Sequence, residues 1–278
     1  MGEYEAYLDE DRLPVFATVA ATYRFVVSNI GALVKIAWLP MLLVAGLSFL
    51  NLQYTLGVLE NPALPSSFDI ARQFVTNVAL ALVFVPFATA WHRRAILRED
   101  LSSTVIGVKA GAAELKYCIY GIAVSVLALL VAAALSVLVG VVSSVAQSQA
   151  LAWIGSLAVF VTCVFIFIRL CLIFPAAAIS APARLKDSWR ATSGSVWRIF
   201  FVYLFAHLPV IVVGFLVQFN FFGAEAVQHA IDGGVESLKS LFYLGWVFNL
   251  ILYPVAIAVS VGCLSMIFKF LTAKDHPE

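Results

Sequence analysis

The chain has 278 residues, of which 63% are hydrophobic and 12% are charged, and its formal net charge is +1. A soluble domain carries about 25% charged residues. The charge of this chain is too sparse to cover a water-exposed surface, so the composition excludes a soluble globular protein and indicates that lipid surrounds much of it.

The N-terminal segment is acidic and reads MGEYEAYLDEDRLP. A cleavable signal peptide begins with basic residues and continues with a short apolar stretch, and this segment has neither. We therefore expect one integral membrane domain over residues 1–278, with an acidic N-terminal tail at 1–13 and a C-terminal tail at 271–278. The first span is then expected to direct insertion.

Six apolar stretches are long enough to cross a bilayer, which takes about 20 residues of α-helix. They run roughly from Val34 to Leu52, Phe74 to Trp91, Cys118 to Val142, Leu151 to Ala178, Ile199 to Phe222 and Leu241 to Phe270. The sequence therefore predicts an all-α fold, a polytopic membrane helix bundle with six transmembrane helices.

The distribution of Lys and Arg predicts the orientation of these spans. If the spans alternate in direction, 15 of the 17 basic residues fall on one side and only Arg72 and Lys239 on the other. Basic loops stay in the cytoplasm. We therefore expect a multi-pass protein of the bacterial inner membrane with its N-terminus and C-terminus both cytoplasmic.

Three cytoplasmic segments share a pattern of apolar residues at helical spacing. The residues are Phe16, Val19, Tyr23, Val26 and Ile30 before span one, Leu101, Val105, Val108, Ala112 and Leu115 before span three, and Leu185, Trp189, Thr192 and Val196 before span five. Each set predicts an amphipathic lead-in helix at the membrane surface. The pattern is compatible with a three-fold hairpin repeat, although any six-span protein of this orientation shows similar basic flanks.

No motif for catalysis, a metal or a nucleotide stands in a suitable context. The four cysteines lie inside apolar segments without a CxxC pair, and no acidic residue lies in the core of a predicted span. The absence of a buried carboxylate argues against proton-coupled or cation transport. We expect no enzymatic activity, no cofactor and no metal.

Two ionisable residues inside predicted spans are candidate site residues. Arg169 could bind an anionic lipid headgroup or substrate, or it could extend to the membrane interface or pair with a neighbouring helix end. His207 could relay a proton or line a polar cavity, or it could donate to a carbonyl freed by Pro209. The sequence leaves both alternatives open.

Further basic residues and a row of small residues suggest partners. Arg93 and Arg94 follow His92 at the end of the second span, where they are expected to contact anionic lipid. Glu99 and Asp100 follow so closely that nucleic acid is not an expected partner. Ala128, Ala132, Ser136, Gly140 and Ser144 recur every four residues and predict close helix packing, within the chain or with another protein or second copy.

The segment RLCLIFPAAAI, followed by DSWRATSGSVWRIF, resembles the YciC-like family of bacterial inner-membrane proteins. It is similar also to the membrane domain fused to some glycerophosphodiester phosphodiesterases. Arg169, Pro175, Trp189 and Arg198 lie in the matching stretch. The resemblance implies a helical bundle in the inner membrane and no activity, because the chemistry of the fused proteins belongs to a separate soluble domain.

These observations favour an integral membrane protein that interacts with lipid, mostly anionic, or acts as an accessory or scaffolding component. The candidate binding residues are Arg169, His207, Arg93, Arg94, Trp189 and Arg198. The alternative is a transporter or channel for a neutral or anionic solute or for lipid.

Overall fold

A computed structural model describes residues 12–60, 66–100, 111–182, 184–223, 228 and 232–273. Every regular element in these residues is helical. In chain order the helices are α1 (Val15–Ser28), α2 (Ile30–Glu60), α3 (Ser67–Leu97), α4 (Ala112–Val145), α5 (Gln149–Leu170), α6 (Ile173–Ala178), α7 (Leu185–Ala191), α8 (Val196–Phe222) and α9 (Val235–Ala273).

The prediction of a helical membrane bundle with six spans is confirmed. The spans are α2, α3, α4, α5 with α6, α8 and α9, each long and apolar enough to cross a bilayer. Most helices extend beyond the predicted bounds. Helix α4 begins at Ala112 rather than near Cys118, so Glu114 belongs to its first turn. Helix α9 continues to Ala273, so the predicted C-terminal tail starts inside a helix.

Tight packing is concentrated at one end of the bundle. Most fully buried residues lie in the first turns of α2, α4 and α8 and in the last turns of α3, α6 and α9. We call this the basic end, because these turns also carry Lys35, Arg93, Lys116, Arg198 and Lys269. Towards the opposite end the helices mostly expose apolar side chains, as lipid contact allows.

Helix α9 is the centre of the bundle, since it contacts α1, α2, α3, α6 and α8. Half of its most apolar stretch (50%) is buried, compared with 6% for α4. Helix α4 packs mainly on α5, with which it forms a hairpin. Of the small-residue row, Ala128 and Ala132 are half-buried, whereas Ser136, Gly140 and Ser144 are exposed.

Helix α1, the predicted amphipathic lead-in before the first span, packs into the bundle through a face that includes only Val26 of the predicted apolar set as a fully buried residue. Its buried residues are Thr18, Thr22, Phe25 and Val26, whereas Phe16 is 74% exposed. Each threonine hydroxyl donates to the carbonyl four residues earlier, at 2.7 and 2.9 Å. This internal bond satisfies the hydroxyl, so a threonine can face an apolar neighbour at little cost.

Two further contacts fix α1 on the bundle. The ring of Phe25 lies 4.8 Å from that of Trp91 in α3, and the Tyr23 hydroxyl donates to the Ala206 carbonyl in α8 at 2.6 Å. Burial, together with the nearby Cys263 thiol, raises the pKa of Tyr23 above its ordinary value. The phenol therefore keeps its proton and remains a donor.

The other predicted lead-in segments have mixed outcomes. Residues 101–110 and most of the predicted acidic tail lie outside the described residues. Before span five, α7 is a helix of 7 residues that contacts α5. The three-fold repeat, which depends on the second segment, stays a prediction.

The packing of α1 on α9 can be tested at Gly262 in α9, which lies beside Thr22 and Phe25 of α1. A Cβ at Gly262 would lie 3.5 Å from Thr22 Cγ2, 3.6 Å from Phe25 Cδ1 and 3.7 Å from Trp91 Nε1. These are ordinary contact distances, so Gly262→Ala should be tolerated. Gly262→Leu should overpack this contact and lower the free energy of unfolding by roughly 1–3 kcal/mol, measured by denaturation in detergent.

The matched control is Gly140→Leu, because nothing lies within 4 Å of a Cβ at Gly140. Equal stability losses for the leucine variants at 140 and 262 would contradict the close packing of α1 on α9.

Candidate anion-binding site and interior polar contacts

The fourth span is broken near its basic end. Cys171 and Leu172 separate α5 from α6 and both are buried. Pro175 has no N–H group to donate to the Cys171 carbonyl, which instead accepts from the Phe174 N–H at 3.3 Å. Irregular backbone at membrane depth is tolerated where the protein itself buries it, and here α3, α4 and α9 contact α6.

Next to the break, two hydroxyl groups donate to the Arg169 carbonyl. Ser188 Oγ donates to it at 2.9 Å and Thr192 Oγ1 at 3.3 Å. The two residues are four apart, so α7 presents both hydroxyls on one face. This contact gives α7 a structural function, because it satisfies a backbone group that lipid could not.

The Arg169 side chain lies in the same cluster. The residue is 7% exposed, and its Cζ lies 4.3 Å from the ring centroid of Trp189 and 5.9 Å from that of Phe165. Within the described part of the chain, the guanidinium makes no hydrogen bond or ion pair, and its Nε is fully buried. A guanidinium has five N–H donors, so this cation lacks acceptors.

The structure thus joins two predicted site residues, Arg169 and Trp189, which are 20 positions apart in the sequence. The other four predicted site residues lie outside this cluster, and each has its own partner in the chain. They are His207, Arg93, Arg94 and Arg198. A planar cation held over an indole ring, with its donors unused, can bind an oxyanion such as a phosphate.

His207 is fully engaged in hydrogen bonds between helices. Its Nδ1 lies 2.8 Å from the Tyr203 carbonyl and its Nε2 lies 2.6 Å from Ser260 Oγ in α9. A carbonyl can only accept, so Nδ1 carries the proton and Nε2 accepts from Ser260. Pro209 has no N–H group to donate to the Phe205 carbonyl, so the alternative in which His207 donates to a carbonyl freed by Pro209 is not the arrangement observed.

The remaining candidates bind groups of the same chain. Arg93 forms an ion pair with Glu114, which also accepts from Thr89 Oγ1 at 3.1 Å. Arg94 Nε donates to Asn29 Oδ1 at 3.0 Å. Arg198 donates to the Leu13 carbonyl at 2.8 Å. These contacts explain how the three side chains hold the basic end together, and they leave lipid contact untested.

His92 is the interior residue that sequence reasoning missed. It was grouped with Arg93 and Arg94 as an interfacial anchor, yet its side chain is 0% exposed and faces Ser265 in α9. A signal was present: His92 shares a helical face with Ala88 and Ala95, both buried. Small residues at that spacing mark the side on which another helix approaches.

The four cysteines are free, and the described residues contain no group of His, Cys, Asp and Glu side chains suited to a metal ion. Comparisons of the chain with family models, with curated proteins and with solved structures gave no match.

The buried ion pair between Arg93 and Glu114 can be tested by a double-mutant cycle. Glu114 is 7% exposed, so Glu114→Leu should leave the Arg93 charge less well compensated, by the Glu99 carboxylate at 3.9 Å, and destabilise the protein by roughly 3–5 kcal/mol. The double variant Arg93→Met, Glu114→Leu should lose less than the sum of the two single variants. Additive losses in denaturation experiments would show that the two charges do not interact.

Proposed function

We propose that this integral membrane protein binds the headgroup of an anionic lipid at Arg169 and acts as a lipid-interacting or accessory component of its membrane, without catalytic activity of its own. The observation that carries the proposal is the Arg169 guanidinium, 7% exposed and without a hydrogen bond or ion pair in the described part of the chain.

The energetic argument starts from the cost of burying a charge. Removing an ion from water costs several kcal/mol even after the protein relaxes. The face of Trp189 offsets about 2 kcal/mol of that for a desolvated cation, but an aromatic ring accepts no hydrogen bond in the plane of the guanidinium. A phosphate supplies both a negative charge and a pair of acceptors.

The membrane supplies such a group at the right place. Arg169 lies in the last turn of α5, nine residues before the end of the fourth span at Ala178, and its long side chain can extend towards a headgroup at the interface. Arg184, Lys186 and Arg190 are exposed in and before α7, and each basic residue near an anionic surface adds about 1 kcal/mol of attraction. Anionic lipid would therefore gather around the basic end and fill the Arg169 site.

Native mass spectrometry after gentle extraction tests the site. Arg169→Gln removes the charge and most donors, and losing a charge-assisted hydrogen bond of roughly 1.5–3 kcal/mol predicts about ten- to hundredfold weaker retention of anionic lipid. Neutral lipid should be retained equally by both proteins.

Arg190→Gln is the matched control, since it removes an exposed arginine from the adjacent helix and should weaken retention by about fivefold at most, the equivalent of about 1 kcal/mol. Equal loss of anionic lipid in both variants would show that the lipid is held by general attraction to the basic surface and not by a site at Arg169. Unchanged retention in Arg169→Gln would overturn the proposal.

The broken fourth span favours transport of an anionic solute or lipid as a second candidate function. Transporters place discontinuous helices at their binding sites, and Arg169 adjoins the break at Cys171 and Leu172. Flux across liposomes that depends on Arg169 would favour transport. Lipid retention without any flux would leave the accessory role.

The proposed location is the bacterial inner membrane, with both termini in the cytoplasm. Six spans place the start of α2 and the end of α9 on the same side, and the excess of basic residues at that end supports a cytoplasmic position. A reporter that is active only in the cytoplasm should work when fused after Glu278. Activity of a periplasm-specific reporter at that position would reverse the orientation.

A further inference from the structure

Helix α7 turns one face towards the bundle and the next face outwards. Residues four apart share a helical face, and the pair Ser188 and Thr192 is buried where α7 contacts α5. On the neighbouring face, Leu185 and Trp189 are 45% and 42% exposed. A helix with an exposed apolar face beside a polar one is suited to lie along the membrane interface.

A third face of α7 is basic. Lys186 and Arg190 are four residues apart and both are exposed. Within the described part of the chain, neither side chain forms an ion pair or a hydrogen bond, and Asp187, which is exposed on the remaining side of α7, pairs with neither of them. An interfacial helix holds such charges at the level of the lipid headgroups.

Trp189 lies between this basic face and the buried cation of Arg169. Its ring covers the guanidinium, with Arg169 Cζ 4.3 Å from the ring centroid. The ring of Phe165 meets that of Trp189 edge-on, with their centroids 5.9 Å apart, and each of these two residues is 42% exposed. The guanidinium therefore lies just beneath rings at the outer surface of the bundle, beside the basic face of α7.

A headgroup with one phosphate cannot satisfy both sets of cations. A phosphate bound by the planar donors of the Arg169 guanidinium uses its oxygens there. Lys186 and Arg190, on the other side of Trp189, would then keep no counter-charge in the described part of the chain. When two phosphates are joined by a short bridge, binding of the first raises the effective concentration of the second, so both can be held at little further cost.

We infer that the lipid bound at Arg169 carries two phosphate groups, as cardiolipin does, with one phosphate at Arg169 and the other on the basic face formed by Lys186 and Arg190. The inference rests on the proposed function, because it names the class of lipid that the same site prefers. Basic pockets between membrane helices suit such headgroups. The acyl chains pack against the exposed apolar face of Leu185 and Trp189.

Competition between two lipids tests the inference. The full-length protein in phosphatidylcholine nanodiscs is titrated with cardiolipin or phosphatidylglycerol, which carry two phosphates and one, and the bound lipid is measured by native mass spectrometry. The wild-type protein should bind cardiolipin more tightly. Lys186→Gln together with Arg190→Gln should lower the ratio of the cardiolipin affinity to the phosphatidylglycerol affinity by up to about 25-fold, about fivefold for each charge.

The matched control is Arg12→Gln together with Lys116→Gln, which removes two exposed cations outside α7 and should leave the ratio unchanged. Inorganic pyrophosphate distinguishes a soluble ligand from a lipid. It should not displace cardiolipin, because it lacks the chains that pack against Leu185 and Trp189. Displacement at concentrations comparable with those of cardiolipin would assign the site to a soluble diphosphate and overturn the inference.

Two further results would overturn the inference. One is equal affinity of the wild-type protein for both lipids, and the other is a ratio that changes no more in the α7 double variant than in the control. Failure of the proposed function has a different signature, which is phosphatidylglycerol binding that Arg169→Gln leaves unchanged. Binding that depends on Arg169 but not on the number of phosphates would overturn the two-phosphate assignment alone.

Discussion

A bilayer offers no hydrogen-bond partner to a polar atom, so the polar groups inside this bundle depend on one another. The Trp91 indole donates to the Ala258 carbonyl at 3.0 Å, and the hydroxyls of Ser188 and Thr192 satisfy the Arg169 carbonyl. Lipid tails are as apolar as leucine, so apolar packing alone gives the spans little reason to associate in one arrangement. These specific bonds supply that arrangement.

Helix α9 takes part in several of these bonds. The Ala258 carbonyl of α9 accepts from Trp91 in α3, and Ser265 of α9 contacts His92, which is also in α3. Ser260 of α9 contacts His207 in α8. The contacts lie within two turns of each other and near the basic end. That placement explains why packing is tight there and why the opposite ends of the hairpins can remain largely lipid-exposed.

Hydropathy alone predicted the six spans, because a bilayer imposes the same length and apolarity on each. Burial within the bundle was harder to predict. The apolar spacing in α1 includes Phe16, which is exposed, and Val26, which is buried, and it leaves out Thr18 and Thr22, which face the bundle. In lipid, apolar side chains can face outward, so apolar spacing alone does not identify the buried face of a helix. His92 was missed for a related reason, since its basic neighbours suggested the interface while its helical face pointed to α9.

Arg169 and Trp189 were both selected from the sequence, but their contact was not predicted. It depends on the break after Leu170 and on α7 turning its two hydroxyls towards that break. The same short motif therefore performs two tasks, satisfying a backbone carbonyl and positioning a cation. Such a coincidence follows from three-dimensional geometry, and spacing along the chain does not reveal it.

The packing of α1 on α9 also constrains biosynthesis. Helix α1 precedes all six spans in the chain and is synthesised before them, whereas Gly262, which it packs beside, lies in the sixth span. Until the sixth span is inserted, the side of α1 that packs beside Gly262 lacks that partner, although Phe25 can already contact Trp91 of the second span. The amphipathic character of α1 therefore suits it to a transient interfacial position, and the bundle closes at its basic end only when the sixth span arrives.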